Sequence, residues 1–162
     1  MSGDAQEQQA ISKLAKSLEP EDLRAARRFS VQFAYAFDLG QGAHFSERDF
    51  GAFADQVEIS DKVLPFVREL CRLMAENLAQ LDGHIEACSH NWILSRIAKV
   101  DLAIVRICTV ELLFRSDVAF EIILADSAEI GKEIGSQNSS SFVNGLLDGI
   151  AKRIRASGGQ QA

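Results

Sequence analysis

The chain has 162 residues, of which 47% are hydrophobic and 25% charged, with 11 glycines and only 2 prolines. This composition is typical of one globular domain and excludes a fibrous or wholly disordered chain. The 17 lysines and arginines against 23 aspartates and glutamates give a net charge of −6, which excludes a protein that coats nucleic acid through its overall charge. A chain of this length buries roughly 68–70% of its unfolded surface, so its core needs no disulfide or metal.

The N-terminal residues lack the basic and apolar stretches of a signal peptide, and no apolar run reaches the roughly 18 residues of a membrane span. Cys71, Cys88 and Cys108 are odd in number and widely spaced, which indicates reduced thiols rather than a disulfide framework or a zinc site. We therefore expect a soluble cytoplasmic protein with no membrane segment.

Apolar residues recur at helical spacing along the whole chain, and no strand pair joined by Asn-Gly or Asp-Gly is present, so the sequence predicts an all-α fold. Residues 1–19 are expected to be an N-terminal extension that forms one helix. A second helix begins at the acidic turn around Pro20 and runs to about Leu39, where Gly40 ends it.

A short third helix is predicted after Ser46, because Asp49 lies three positions later, as in a capping box. A loop is expected over residues 55–60. One long helix is then predicted from Asp61 to Gly83, since its apolar residues keep to one face and glycine commonly ends a helix.

The second half of the chain predicts four further elements, over residues 92–97, 100–114, 118–134 and 139–154. The helix over 100–114 is apolar nearly all round and is expected to be central and buried, with Asp101 and Arg106 marking either an exposed edge or an internal ion pair. The serines before Phe142 are expected to cap the last helix, and Asn144 with Gly145 predicts a close helix approach.

We expect the chain to form a bundle of about seven or eight helices without an internal repeat, in which residues 20–156 are the main helical domain. Residues 157–162 are expected to be a disordered tail.

The sequence lacks the usual patterns of catalysis and cofactor binding. The three histidines form no H-E-x-x-H motif, and Gly40-Gln41-Gly42 lacks the strand and the third glycine of a dinucleotide fingerprint. Neither a P-loop nor a G-x-S-x-G elbow is present. We therefore expect no catalytic residue, no metal and no cofactor.

One helical face combines cations, an amide and an aromatic ring, in the residues Arg24, Arg27, Arg28, Gln32 and Tyr35. At 100° per residue these positions follow one side of a helix. Arginines neutralise phosphates and stack on bases, and a tyrosine offers a platform for an unpaired base, which suits single-stranded RNA. The alternative is a solvated face whose arginines pair with Glu21 or Asp22.

Several short blocks follow one another along the chain. The arginine-rich helix leads into V-Q-x-x-Y at 31–35, and the second half contains N-W and R-I at 91–97, V-D-x-A-I-x-R-I at 100–107, E-L at 111–112, R-S-D-V at 115–118 and F-V-N-G-x-L-D at 142–148. In order and spacing these blocks resemble the NusB family of bacterial transcription antitermination factors, over roughly residues 23–154.

The resemblance implies two small helical sub-bundles that bind, without catalysis, the boxA element of nascent ribosomal RNA transcripts. In that family the protein pairs with the ribosomal protein called NusE, and the heterodimer joins the other Nus factors on RNA polymerase to suppress termination. By matching position, the resemblance implies RNA-binding residues Arg24, Arg27, Arg28, Gln32, Tyr35, Asn138 and Phe142. It implies partner-binding residues Asp101, Glu111, Arg115, Asp117 and Val118.

The chain departs from the family pattern in ways that we expect to weaken RNA affinity. Ala25 and Ala26 dilute the arginine cluster, Glu121 stands at a commonly basic position, and the serines at 139–141 bind phosphate without releasing a counterion. One alternative is therefore a diverged protein-interaction module or homodimer of the same fold that has lost RNA binding. A similar domain also precedes some ribosomal RNA cytosine methyltransferases, but this chain is too short to include their catalytic domain.

Overall fold

The computed structural model describes residues 2–90, 93–115 and 117–158. Within these ranges the chain forms helices and no strand, which confirms the predicted all-α class. The α-helices are α1 (Ser2–Lys16), α2 (Pro20–Leu39), α3 (Glu47–Val57), α4 (Leu64–Glu76), α5 (Leu78–Cys88), α6 (Lys99–Phe114), α7 (Phe120–Ile134) and α8 (Ser139–Ala156). A 3₁₀ turn covers Leu94–Arg96.

None of the helices in these ranges is both long and apolar enough to cross a membrane. The predicted disordered tail lies mostly outside the described residues, as does Trp92 of the predicted short element.

The ends of α2 are set by its local sequence. Pro20 occupies the first helical position, where the missing N–H has no intrahelical acceptor to lose. The backbone N–H of Glu19 donates to Asp22 Oδ2 at 3.0 Å, as in a capping box. Gly40 ends the helix as predicted, and Val31 and Phe33 lie on its buried side.

Ser46 caps α3 as the sequence predicts, because its Oγ accepts a hydrogen bond from the backbone N–H of Asp49 at 3.1 Å. The prediction of one helix over 61–83 is wrong, since α4 and α5 are separate helices that meet at Asn77. The Asn77 amide donates to the carbonyl of Leu73 at 2.8 Å and so competes with the backbone for a helical acceptor. Gly83 lies inside α5 on its exposed side and ends nothing.

α6 is the central helix, as predicted, and its residues from Asp101 to Glu111 are all buried. It packs against α2, α7 and α8, and most extensively against α2. Lys99 pairs with Asp38 near the start of α6, whereas Glu111 pairs with Arg27 near its end. The two helices therefore run antiparallel, and the C-terminal end of α2 lies beside the start of α6.

α1 shares the core of the bundle. It packs against α4 and α6 and buries Ile11 and Ala15. The Gln8 side chain donates to the carbonyl of Leu113 at 3.1 Å, and Glu7 pairs with Arg72 at 3.1 Å. Apolar burial and polar contacts together hold the segment before Pro20 on the rest of the chain.

The close approach between α7 and α8 is at Gly131 and Gly135. A Cβ on Gly135 would lie 2.4 Å from Ser139 Oγ, and one on Gly131 would lie 3.2 Å from the backbone nitrogen of Ser140. Asn144 and Gly145 are exposed, so the expectation of a close approach there is wrong. Gly145 falls on the side of α8 opposite its buried apolar residues, and Asn144 lies at the edge of the buried side. The buried apolar residues are Val143, Leu146, Leu147, Ile150, Ala151 and Ile154.

Asn138, rather than a serine, occupies the position before α8, and the three serines lie within its first turn. The Ser139 Oγ accepts a hydrogen bond from the backbone N–H of Ser136 at 2.8 Å. The serine cluster therefore holds the incoming loop and does not supply the N-cap residue.

Candidate nucleic-acid interface

Four of the side chains predicted to bind RNA share one accessible face of α2. We call this the cationic face: Arg24, Arg28, Gln32 and Tyr35. The side chains of Arg24 and Arg28 are 53% and 42% exposed, and Tyr35 is 36% exposed. With a rise of about 1.5 Å per residue, the face extends for roughly 16 Å along the helix.

The two arginines of the cationic face pair with carboxylates on α7. Arg24 Nε lies 3.3 Å from Asp126 Oδ1, and Arg28 pairs with Glu133. Within the described residues these ion pairs replace the expected ones with Glu21 or Asp22, and Asp22 instead pairs with Lys62 at 2.9 Å. The Arg28–Glu133 pair is exposed on both sides and contributes about 0–1 kcal/mol, so a phosphate oxygen can take the place of that carboxylate. Asp126 is buried and also contacts Arg27, so it keeps one cationic partner when Arg24 turns to a phosphate.

Arg27 does not belong to this accessible face, although the sequence placed it there. Arg27 is 0% exposed, because its side chain lies between α2, α6 and α7. Its guanidinium pairs with both Glu111 and Asp126, with Nη2 3.0 Å from Glu111 Oε2. Burial opposes the charge, yet the contact with Glu111 raises the pKa of Arg27 above its ordinary value.

Glu111 and Arg115, predicted to contact a partner, are also internal. Glu111 is 0% exposed and accepts from Arg27 and from Arg115, which is itself 6% exposed. Arg115 makes a bidentate contact with Asp117, at 3.1 and 2.9 Å. These buried charges join α2, α6 and the segment before α7, so their role is to fix the helices relative to one another.

Asp117 and Val118 border a groove of about 530 Å³ between the N-terminal segment and α7. Val118 is half-buried, and the Asp117 side chain is only 15% exposed because Arg115 holds it. Leu18, Leu23 and Ile122 form much of its apolar lining, and Ile122 is 52% exposed. Ile122 was not among the predicted site residues. The sequence could have indicated Ile122 only by its position, because it is an apolar residue on the polar side of the amphipathic helix α7.

A second, smaller pocket brings together residues that were predicted to have different roles. Asp101, from the predicted partner set, and Asn138 and Phe142, from the predicted RNA set, line one pocket of about 270 Å³. Asp101 is only 7% exposed, so a flat protein surface does not reach it. Its Oδ1 has no hydrogen-bond partner among the described residues.

Arg96 lines the same pocket and was missing from the predicted site. It lies in the 3₁₀ turn, far along the chain from the loop before α8. Only the packing of the 3₁₀ turn against the loop before α8 brings Arg96 close to Asn138.

The described residues contain no cluster of three side chains that could hold a metal ion. Burial raises the pKa of the Cys71 and Cys108 thiols well above the usual range, which leaves them poor nucleophiles. The chemistry that this surface offers is therefore charge, hydrogen bonding and stacking.

Comparison with known proteins gives a consistent result. Residues 24–152 match the model of the NusB family. A transcription antitermination protein NusB of Syntrophotalea carbinolica is 37% identical over 82% of this chain and 93% of that protein. The structure of T. maritima NusB is 31% identical, with a TM-score of 0.72 over 80% of this chain and 89% of that one. NusB from Aquifex aeolicus, 21% identical with a TM-score of 0.72, shares the fold over 86% of this chain and 93% of that one.

Proposed function

The chain belongs to the NusB family of transcription antitermination proteins, and we propose that it binds boxA-type single-stranded RNA of nascent ribosomal RNA transcripts together with the NusE ribosomal protein. It acts by binding, without catalysis. In this role it promotes processive transcription through other Nus factors on RNA polymerase.

The single observation that best supports RNA binding is the accessible cationic face of α2. Two arginines, an amide and the one tyrosine of the chain follow one another on the same side of a rigid helix. Arginines and an aromatic ring in this arrangement provide phosphate contacts and a stacking surface for unpaired bases. The overall charge of −6 does not oppose this, because the contact is local.

The carboxylates of Asp126 and Glu133 make this binding site weaker than its arginine count suggests. Each is already paired with one of the two exposed arginines, so RNA must displace a carboxylate at each contact. With Arg27 buried, two phosphate contacts remain, and they predict a log-log salt slope of about −1.4 for a single strand. The second partner, NusE, supplies the affinity that this face lacks.

We propose that NusE docks near the groove beside α7, which Asp117 and Val118 border and where Ile122 is exposed. Glu111 and Arg115 take part only indirectly, because they hold this segment in place from inside the bundle. A homodimer through the same surface is the competing arrangement.

Fluorescence anisotropy of a labelled boxA-like RNA and of a scrambled RNA, over a salt series and with or without NusE, tests the proposal. We expect preference for boxA that increases with NusE and a salt slope near −1.4. Arg24→Ala should lower the slope by about 0.7, since one phosphate contact is lost. Tyr35→Ala should weaken binding at every salt concentration, because stacking does not release counterions.

Arg48→Ala is the matched control, since Arg48 is an exposed arginine on α3, away from the cationic face. It should leave the slope and the preference unchanged. If the wild-type protein shows no preference for boxA even with NusE bound, the protein is an interaction module of the NusB fold and the proposal is wrong.

A further inference from the structure

We propose that a pocket where α2 leads into α3 binds the guanidinium group of an arginine side chain from a basic protein partner. We call it the Phe33 pocket; Phe33, Phe37, Gly42, His44, Asp49 and Phe53 form most of its lining. None of its lining residues belongs to the cationic face or to the groove beside α7. The inference therefore goes beyond the proposed function and does not depend on it.

Three phenylalanine rings give the pocket an apolar floor. The rings of Phe37 and Phe53 both pack on the Phe33 ring, with centroid distances of 5.8 and 5.4 Å. Phe33 is 6% exposed, whereas Phe37 and Phe53 are half-buried and keep part of their surface open to solvent. The face of an aromatic ring attracts a cation, and the planar, weakly hydrated guanidinium of arginine also stacks on it. This floor therefore suits arginine better than lysine.

A carboxylate of the pocket has no cationic partner within the chain. Asp49 is exposed in the first turn of α3, and its carboxylate makes no ion pair or hydrogen bond with any of the described residues. It lies four positions before Phe53, so the carboxylate and the ring are on the same side of α3. A guanidinium that rests on the rings can therefore donate a charge-assisted hydrogen bond to Asp49. The imidazole of His44, when neutral, offers a further acceptor nitrogen.

The same aromatic cluster already holds one arginine of this chain. Arg68 lies over the Phe45 ring, with its Cζ atom 5.6 Å from the centroid, and its Nε donates to Glu47 Oε1 at 3.0 Å. Phe45 packs against Phe33 at a centroid distance of 6.3 Å, so the two sites belong to one cluster. A ring and a carboxylate from the first turn of α3 thus bind a guanidinium on one side of the cluster. The Phe33 pocket presents the same two groups, and no arginine or lysine lines it.

The size and charge of the pocket select its occupant. Its volume, about 230 Å³, is below the range of pockets for small-molecule ligands and suits a single side chain. RNA would bring phosphates toward Glu47 and Asp49, and like charges repel. The net charge of −6 attracts a basic protein and repels a second copy of this chain. The occupant that fits is therefore an arginine of a basic protein segment.

The test is an NMR titration of the nitrogen-15-labelled full chain with the peptide N-acetyl-Gly-Arg-Gly-amide and with its lysine and citrulline analogues. Citrulline has nearly the shape of arginine but carries no charge. We expect saturable shifts of the amide signals of Gly40 and Gly42, which both line the pocket. The arginine peptide should bind roughly tenfold more tightly than the citrulline peptide, and the lysine peptide should lie between them.

Asp49→Asn should weaken binding of the arginine peptide by roughly two- to fivefold, because an exposed charge pair is lost. Asp55→Asn is the matched control, since Asp55 is an exposed aspartate of the same helix that does not line the pocket. It should leave the affinity unchanged. The spectrum of each variant shows directly whether it is folded.

A second variant changes the shape of the pocket and keeps its charge. A Cβ on Gly42 would lie 2.6 Å from ring carbons of Phe37, so in Gly42→Ala the ring has to move. This variant should weaken binding of the arginine peptide, as followed by the Gly40 signal. Gly51→Ala is its control, because an added Cβ at Gly51 would meet nothing within 4 Å.

Three results would overturn the inference. The first is equal binding of the three peptides, or shifts that lie away from Gly40 and Gly42. The second is wild-type affinity in Asp49→Asn. The third is a shift of the same two signals on addition of the boxA-like RNA, which would make the pocket a nucleic-acid contact. Because the peptide titration contains no RNA, the proposed function and this inference can fail independently of each other.

Discussion

At the scale of single residues, the three arginines at positions 24, 27 and 28 have different roles although they are close in sequence. Arg24 and Arg28 are accessible, and each pairs with a carboxylate on α7. Arg27 is turned inward and pairs with two buried carboxylates, Glu111 and Asp126. A difference of one helical position therefore separates an accessible side chain from a buried one.

Arg27→Ala should lower the free energy of unfolding by about 3–5 kcal/mol, because removing one partner leaves Glu111 buried with less compensation. Arg24→Ala should change it by less than about 0.5–1 kcal/mol, because Arg24 is half exposed and Asp126 keeps its contact with Arg27. Urea denaturation followed by circular dichroism measures both. Equal losses for the two variants would contradict the buried position of Arg27.

At the scale of helices, the space around a glycine decides whether an added Cβ destabilises or stabilises the protein. Gly135 directly follows α7 and lies against the side chain of Ser139 at the start of α8, so a Cβ there has no room. Gly145 lies on the exposed side of α8, where an added Cβ would meet nothing within 4 Å. Its cost is only the poor helix propensity of glycine.

Gly135→Ala should destabilise the protein by about 1–3 kcal/mol through overpacking. Gly145→Ala, the matched control in the neighbouring helix, should instead stabilise it by about 0.5–1 kcal/mol. Melting temperatures of the two variants should therefore move in opposite directions. A shift of the same sign in both would mean that the loop before α8 does not make this close contact.

At the scale of the whole molecule, the N-terminal helix and the family domain share one core. The family model begins at residue 24, yet α1 buries Ile11 and Ala15 against α4 and α6. The first helix should therefore unfold with the rest of the chain and not as a separate unit.

Ile11→Ala should cost about 2–5 kcal/mol, as expected for truncation of a buried isoleucine, and should shift a single unfolding transition. Leu39→Ala is the matched control, since Leu39 is an exposed leucine at the end of α2, and it should cost less than about 0.5 kcal/mol. Urea titration followed at two spectroscopic wavelengths checks both. A separate early transition for α1 would show that the helix is only loosely attached.

The sequence by itself determined the all-α class, the central position of α6 and the starts of α2 and α3, because helical periodicity and capping depend on neighbouring residues. It also placed Arg24, Arg28, Gln32 and Tyr35 on one face, since helix geometry follows from spacing alone. The break at Asn77 was missed because its cause is a side-chain hydrogen bond that competes with a continuous apolar pattern.

Only the tertiary structure decided which charged residues are accessible. Arg27 and Glu111 are far apart in the sequence and are buried because the antiparallel packing of α2 and α6 brings them together. Asp101, Asn138 and Phe142 likewise meet only where three segments converge. Spacing specifies the side of a helix on which a charge lies, but burial depends on which helix packs against that side, and that choice is made by contacts distant along the chain.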